Sequence, residues 1–344
     1  MKILVLSVRD TGGTGYTLAH AINKICPEHQ TVNIRGMNTF LDYPTIVDMA
    51  DYNRTRIREM VYKADVILFL GAMQPFFEAL RLRKNKLRDA KKILLCMGSE
   101  WRLGRDQLMA QADKLLGDYK IVLGGADMFL PLQFTAPDGS QKEFPEVNPN
   151  EVSYLPVVRS FQEITEKYCL SPTDQAALQS FGVPKKKTIF THAPTSEINK
   201  GSILFYRVAT RAMQACPNMV FATIRQQPWV ACLATLSRSN VLFDQAPPFP
   251  TAYGALSVEA AIFHLPSFSQ VDPRCREFIK HESGLDTPYI TFEDEEDLFN
   301  KVVTLAREPK VREMFGELNY KYCKALHDEP PVVERFLKIV EKMN

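Results

Sequence analysis

Three stretches of this sequence combine residue types that can meet phosphate and polar ligand groups. The first, Arg9-Asp10-Thr11-Gly12-Gly13-Thr14-Gly15, follows an apolar run at 2–8 and opens an amphipathic one. Glycines let backbone N–H groups approach a ligand, and a helix N-terminus behind them favours negative charge. Gly12 and Gly13 are therefore candidate phosphate or substrate contacts, set against the plainer reading of a tight turn that binds nothing. The spacing is not Gly-x-Gly-x-x-Gly, and no acidic residue closes a clear second strand. Both facts weigh against a nicotinamide dehydrogenase.

The second stretch runs from Thr188 through His192 and Pro194 to Lys200-Gly201. A lysine that opens a helix places a flexible point charge where a diphosphate can sit. Standing alone, such a lysine is usually solvated surface, and a histidine at a strand end is usually a satisfied core group. The third runs from Phe243-Asp244-Gln245 through a Pro-rich loop to Tyr253-Gly254, Ser257 and Glu259-Ala260-Ala261, closing at His264-Leu265-Pro266. Glu259 falls in the first turns of a helix whose remaining face is apolar. A carboxylate there can hydrogen-bond a ribose diol, while N–H groups at 254–257 point at phosphate. The plain alternative is that Glu259 complements the helix dipole.

The elements that must position these residues come in two series. Apolar runs predict strands at 2–8, 31–35, 65–70, 92–97, 119–123 and 153–158, with helices at 16–26, 50–63, 75–88 and 104–117. Continuous apolar strands separated by helices imply parallel sheets covered on both faces. The polar segment 132–150 reads as a long surface loop. A second series places strands at 187–192, 219–225, 240–244 and 266–270, and helices at 202–215, 228–237, 254–264, 294–307 and 310–325. The expected organisation is a first domain over 1–170, a joint at 171–186, a second domain over 187–330 and a final helix near 331–342, its segment 331–344 free to cross back to the first domain. A chain of 344 residues is comfortable for two such domains.

Taken together, these stretches resemble the donor half of the large retaining glycosyltransferase family with the GT-B fold. In that family a strand leads to a loop ending in Lys-Gly, and about sixty residues later comes Gly-x-x-x-x-Glu-Ala, then a small residue and Pro. Met97-Gly98-Ser99-Glu100-Trp101-Arg102 resembles the family's His-Gly-Ser-Asp-x-Arg, and Tyr154-Leu155-Pro156 its Leu-Pro segment before the linker. The resemblance implies an α/β, GT-B-like fold: two Rossmann-like domains with parallel sheets facing a central cleft. It implies a nucleotide-sugar donor, with Lys200 on the diphosphate and Glu259 on the ribose as the catalytic pair. Tyr253, Gly254 and Ser257 would line the phosphate, and Gly12-Gly13 the transferred sugar. The family often has a second glutamate eight positions before the first, where this chain has Thr251. Its sugar-touching histidine is Met97 here, and the arginine that usually precedes the lysine is missing. Arg225 or His192 would supply that second donor.

The resemblance also implies transfer with retention, by front-face attack with the leaving phosphate taking the acceptor's proton. No Asp-x-Asp stands in a fitting place, so no metal and no separate cofactor is expected, and cationic side chains would take that role. The acceptor would face the first domain near Ser99 and Arg102. There Arg81, Arg83, Lys84, Lys86, Arg88, Lys91 and Lys92 crowd a stretch of twelve residues, and Arg54, Arg56 and Arg58 add to it. A solvated helix face is the default reading. The functional readings are an anionic membrane surface carrying a lipid-linked acceptor, with Phe76 and Phe77 inserting shallowly, or a DNA backbone. Two other functions stay open: a nucleotide-sugar-binding protein without turnover, and a sugar-nucleotide epimerase of the same fold.

Composition constrains the rest. A net charge of +2 gives no whole-molecule field for nucleic acid or membrane, so any basic surface must be local. The seven cysteines form no CxxC pair and no zinc spacing, which suits buried thiols in a reducing compartment. No run reaches the ~18 apolar residues that span a bilayer. The expectation is a cytoplasmic protein, at most peripheral to a membrane, with no stable protein partner implied.

Overall fold

The computed structural model describes residues 1–10, 12–97, 99–129, 132–135, 141–144, 152–169, 187–246 and 252–343. For residues 99, 100, 102, 103, 127, 132–135 and 141–144 it describes the backbone alone. The chain divides into two compact units: Met1–Arg159 with Leu326–Asn344, and Ser160–Ala325. The observed division falls at Arg159/Ser160, and the expected joint at 171–186 lies outside the described residues.

In the first unit the order is β1 (Lys2–Arg9), α1 (Thr14–Ile25), β2 (Gln30–Met37), β3 (Val47–Asp48), α2 (Arg54–Tyr62), β4 (Val66–Leu70), α3 (Gln74–Ala79), β5 (Lys91–Cys96), α4 (Ser99–Leu115), β6 (Lys120–Leu123), β7 (Leu132–Thr135), β8 (Gln141–Phe144) and β9 (Ser153–Tyr154). The second unit holds α5 (Phe161–Tyr168), β10 (Thr188–His192), α6 (Ser202–Ala215), β11 (Met219–Thr223), α7 (Trp229–Leu236), β12 (Val241–Gln245), α8 (Ala255–Ile262), β13 (Ser267–Ser269), α9 (Pro273–Ser283), α10 (Glu295–Arg307) and most of α11 (Pro309–His327). The chain ends with α12 (Glu329–Glu341), which belongs to the first unit.

The first sheet runs β3-β2-β1-β4-β5-β6-β9 and the second β11-β10-β12-β13. Every neighbouring pair in both is parallel. The central strands are apolar along their whole length because helices cover both faces. In the first unit Ile3, Val5, Val66, Leu68, Ile93 and Leu95 meet Leu18 and Ile22 of α1. Val332, Val333, Phe336 and Val340 of α12 join the same core, so the end of the chain closes the fold on its beginning. Truncating one such Leu or Ile to Ala costs roughly 2–5 kcal/mol. In the second unit Phe190, Phe205, Phe243 and Phe268 form the centre. Phe205 stacks on Phe243 at 4.7 Å.

Several sequence expectations need correction. The segment 132–150 is not simply a loop, because β7 and β8 pair antiparallel with Leu132 opposite Phe144. The helix expected over 75–88 stops at Ala79, where Arg81 takes a left-handed φ of 51° that a helix cannot continue. Leu80, Leu82 and Leu87 bury themselves along the irregular segment that follows. The strand expected at 153–158 shortens to two residues, and α5 and α9 appear where no helix was expected. Both have ordinary caps: Ser160 Oγ accepts from Glu163 N, and Asp272 accepts from Arg274 N with Pro273 behind it.

Candidate functional site

The carboxyl ends of β10 and β12 bring the second and third stretches together. Gly201 caps α6 with φ +63°, a conformation that suits glycine, and Lys200 sits immediately before it. Lys200 Nζ lies 2.9 Å from Asp244 Oδ1. The Asp244 side chain, at the end of β12, is wholly buried, while that of Lys200 is 18% exposed. Asp244 Oδ2 accepts from Gly254 N at 2.8 Å and Ser257 Oγ at 2.7 Å, which fastens it to the start of α8. Burial works against this carboxylate's charge. The Lys200 ammonium and the bonds from Ser257 and Gly254 outweigh burial and hold it below the usual carboxylate range. The Gln245 amide fits the cluster with its oxygen toward Lys200 Nζ at 3.1 Å and Gly254 N at 2.9 Å.

Gly254 matters through space rather than dihedral angle, since its φ is −89°. A Cβ there would stand 2.9 Å from Lys200 Nζ and 3.1 Å from Asp244 Oδ1. Five residues on, Glu259 is 2% exposed, and Trp229 Nε1, at the start of α7, donates to its Oε1 at 2.9 Å. Glu259 therefore does more than complement the helix dipole: it fixes an indole from the preceding helix. Nothing in the spacing of the sequence marked Trp229 or Asp244 for these positions, although Asp244-Gln245 lies within the third stretch.

His192 belongs to the scaffold and not to a ligand surface. It is fully buried, with Nδ1 at 2.8 Å from Phe243 O and Nε2 at 2.7 Å from Ser202 Oγ. A carbonyl can only accept, so Nδ1 carries the proton and Nε2 accepts from Ser202. Burial pushes its pKa down to about 4. With both nitrogens engaged, His192 is not placed to touch a donor, and the expectation that it does is corrected. Arg225 lies just after β11 and is exposed, with Nη2 2.8 Å from Glu197 Oε1 and 3.3 Å from Tyr206 Oη. It thereby joins the loop that carries Lys200. Tyr253 is half-buried; its hydroxyl meets that of Tyr322 at 2.8 Å, and its ring lies 4.5 Å from that of Tyr289. Thr251 is outside the described residues.

The glycine stretch of the first unit is built differently from the expectation. Gly13 caps α1 with φ +63°, and a Cβ on it would stand 2.2 Å from the Tyr43 ring. Arg159, wholly buried, donates to Gly12 O at 2.7 Å. The helix N-terminus already holds an anion-like group of the chain itself: Asp10 Oδ2 accepts from Gly15 N at 3.0 Å and Tyr16 N at 3.1 Å. Those two N–H groups are thus not available to a phosphate. Burial raises the Asp10 carboxyl above its usual range despite these bonds and the charge of Arg159.

On the side expected for the acceptor, Phe76 and Phe77 are core residues, and Phe77 stacks on Phe69 at 6.1 Å, which removes them as membrane anchors. The basic run begins past the end of α3, passes through a single 3-10 turn at Lys84–Lys86 and ends in the first residues of β5, so it does not share one α-helix face. Lys84, Lys91 and Lys92 spend their ammonium groups on the carbonyls of Asp113, Val340 and of Leu87 and Ala90. Arg81, Arg83, Lys86 and Arg88 are exposed, as are Arg54 and Arg56 on α2, and Arg83 N donates to Tyr62 Oη at the end of that helix. The side chains of Ser99 and Arg102 are outside what is described. Among the described residues no helix is long and apolar enough to cross a membrane.

No protein-family model and no curated protein matches the sequence. The structure, however, is similar along nearly its whole length to solved glycosyltransferases. HepE of Anabaena in complex with UDP and glucose aligns with a TM-score of 0.63, at 11% identity over 99% of both chains. An α-glucosyltransferase in complex with UDP-glucose and DNA containing an abasic site aligns at 0.62 and 11% identity, over 99% of this chain and 100% of that one. UDP-GlcNAc 2-epimerase from Neisseria meningitidis bound to UDP-GlcNAc aligns at 0.53 and 11% identity, over 98% and 100%. The chain has the fold of the GT-B glycosyltransferases.

Proposed function

We propose that this chain is a glycosyltransferase using a nucleotide-sugar donor, with Lys200 on the diphosphate and Glu259 at the nucleotide ribose. The observation that carries this reading is the Lys200 ammonium held 2.9 Å from a buried carboxylate at the carboxyl end of β12, beside the start of α8. Ligands of parallel α/β sheets collect at that edge. The UDP-sugar complexes among the similar structures support the donor class.

As the bond from the sugar to the leaving phosphate oxygen breaks, negative charge grows on the diphosphate. Lys200 stabilises it, with Arg225 as the second cation once it turns from Glu197. With retention, the acceptor oxygen bonds to the anomeric carbon on the face the phosphate leaves. The acceptor's proton passes to the departing phosphate oxygen, so no protein base is consumed. The exposed arginines of α2 and the 81–88 segment make an anionic acceptor surface the natural partner, either a membrane carrying a lipid-linked acceptor or DNA.

A second reading has its own observation. Both cations expected at the diphosphate are paired within the chain, Lys200 with Asp244 and Arg225 with Glu197, which suits a protein that binds nucleotide-sugars without turning them over. Thermal-shift screening with nucleotide-sugars, followed by hydrolysis and transfer assays, tests both. Stabilisation by a nucleotide-sugar with transfer of its sugar to an acceptor supports the transferase. Stabilisation without any turnover supports the binding protein, and epimerised sugar without an acceptor would point to the epimerase.

A further inference from the structure

The third stretch was expected to offer N–H groups at 254–257 to phosphate, yet a carboxylate of the chain already takes the first of them, Gly254 N, together with the Ser257 hydroxyl. Two accounts of that carboxylate are possible. Asp244 could be a stand-in for the ligand, displaced when an anion arrives, or a fixture that shapes the site and stays. The geometry decides between them. Asp244 is wholly buried and held by Lys200 Nζ, Gly254 N and Ser257 Oγ at 2.7–2.9 Å. Displacing it would strand a buried charge, which is far costlier than leaving the pair intact. Charge-assisted bonds of this kind are also roughly twice as strong as neutral ones.

Lys200, in contrast, has capacity to spare. Its ammonium carries three donors. Asp244 Oδ1 and the Gln245 amide oxygen take two, and the side chain keeps 18% of its surface exposed. The strand end also grips the lysine by its main chain, since Ala246 N donates to Lys200 O at 3.2 Å. Gly254 completes the arrangement, because any side chain there would press on Lys200 Nζ.

We infer that Asp244 is a positioning residue of the donor site: it clamps the Lys200 ammonium to the start of α8 and stays in place when a diphosphate binds. The inference rests on the donor-site reading above for its ligand, but the clamp itself can be tested without one. Asp244 does not touch the donor in this account. It acts by fixing the direction of the remaining Lys200 N–H.

The test uses the full chain with Asp244→Asn and Ser257→Ala, the latter loosening the clamp while keeping both charges. Lys200 acetylation by an amine-reactive ester, followed by mass spectrometry, reads the clamp directly. UDP titration calorimetry reads its effect on the ligand. In Asp244→Asn, labelling of Lys200 rises and the Kd for UDP weakens, each by roughly tenfold, with smaller changes of the same sign in Ser257→Ala. Tighter UDP binding in Asp244→Asn would show a displaced stand-in and overturn the inference. So would unchanged labelling in both variants, whatever their melting temperatures. If Asp244→Asn does not fold, Ser257→Ala alone decides. If the wild-type chain fails to bind UDP, the donor reading falls, and the labelling still decides the clamp.

Discussion

At the start of α1, Asp10 Oδ2 accepts from Gly15 N and Tyr16 N; at the start of α8, Asp244 Oδ2 accepts from Gly254 N and Ser257 Oγ. Each unit thus sets a buried carboxylate against the start of a helix, through two N–H groups of α1 in the first and through one cap N–H and a hydroxyl in the second. Their pKa values shift in opposite directions. Burial wins at Asp10 and raises its pKa, whereas at Asp244 the adjacent ammonium outweighs burial and lowers it. The lesson is that a glycine-rich strand–helix junction does not announce an anion site. What distinguishes the second unit is the lysine set against its carboxylate.

The largest expected effect comes from removing that difference. Lys200→Met leaves Asp244 as an uncompensated buried charge, at a cost of about 3 kcal/mol in denaturant unfolding near neutral pH. Asp244 then takes up a proton more readily, so the loss shrinks at low pH. Donor turnover falls by roughly 100-fold or more.

Next comes acid. His192 and His327 both have pKa values pushed down to about 4 by burial, against 6.5 in the unfolded chain. The unfolded state therefore binds more protons between these values, and stability is lost as pH falls through that window. Each histidine costs about 2 kcal/mol at pH 5 relative to pH 7. Denaturation midpoints at the two pH values check this, and His192→Gln should remove about half of the drop.

Gly13→Ala forces a Cβ onto the Tyr43 ring in a left-handed conformation and costs about 1–3 kcal/mol of stability, read by the melting temperature. The smallest effect belongs to Asp10→Asn. A carboxyl with a raised pKa destabilises the fold as pH rises through that value, so the amide should match or slightly exceed the wild type at pH 7, within about 1 kcal/mol. A large loss there would mean that Asp10 is charged, and the contrast with Asp244 would collapse.

Much of the architecture was legible because apolar strands such as Val66–Leu70 and Val241–Gln245 are covered on both faces and leave no ambiguity of period. Cap signals also stand in the sequence. Ser160 with Glu163, and Asp272 with Pro273, announce α5 and α9. The dipeptide Asp138-Gly139 separates the runs that pair as β7 and β8. The 75–88 stretch misled because its leucines look helical, while Arg81 breaks the helix through a backbone choice that composition does not show. In the candidate site, Lys200 and Glu259 stood out by their place in a motif. Asp244 and Trp229 did not, because their importance lies in partners 44 and 30 residues away along the chain. For His192 the core reading that a strand-end histidine carries by default holds, and the second-donor role implied by the resemblance does not, because its bonds to Phe243 and Ser202 exist only in the fold.

The central claim is that the donor diphosphate lies on Lys200 and its ribose at Glu259. A crystal of the chain soaked with UDP-glucose tests it most directly. The account predicts a phosphate oxygen within about 3 Å of Lys200 Nζ, a ribose hydroxyl on the Glu259 carboxylate, and Asp244 still bonded to Gly254 and Ser257. A nucleotide bound away from the ends of β10 and β12, or seated on the α8 N-terminus with Asp244 expelled, would contradict it.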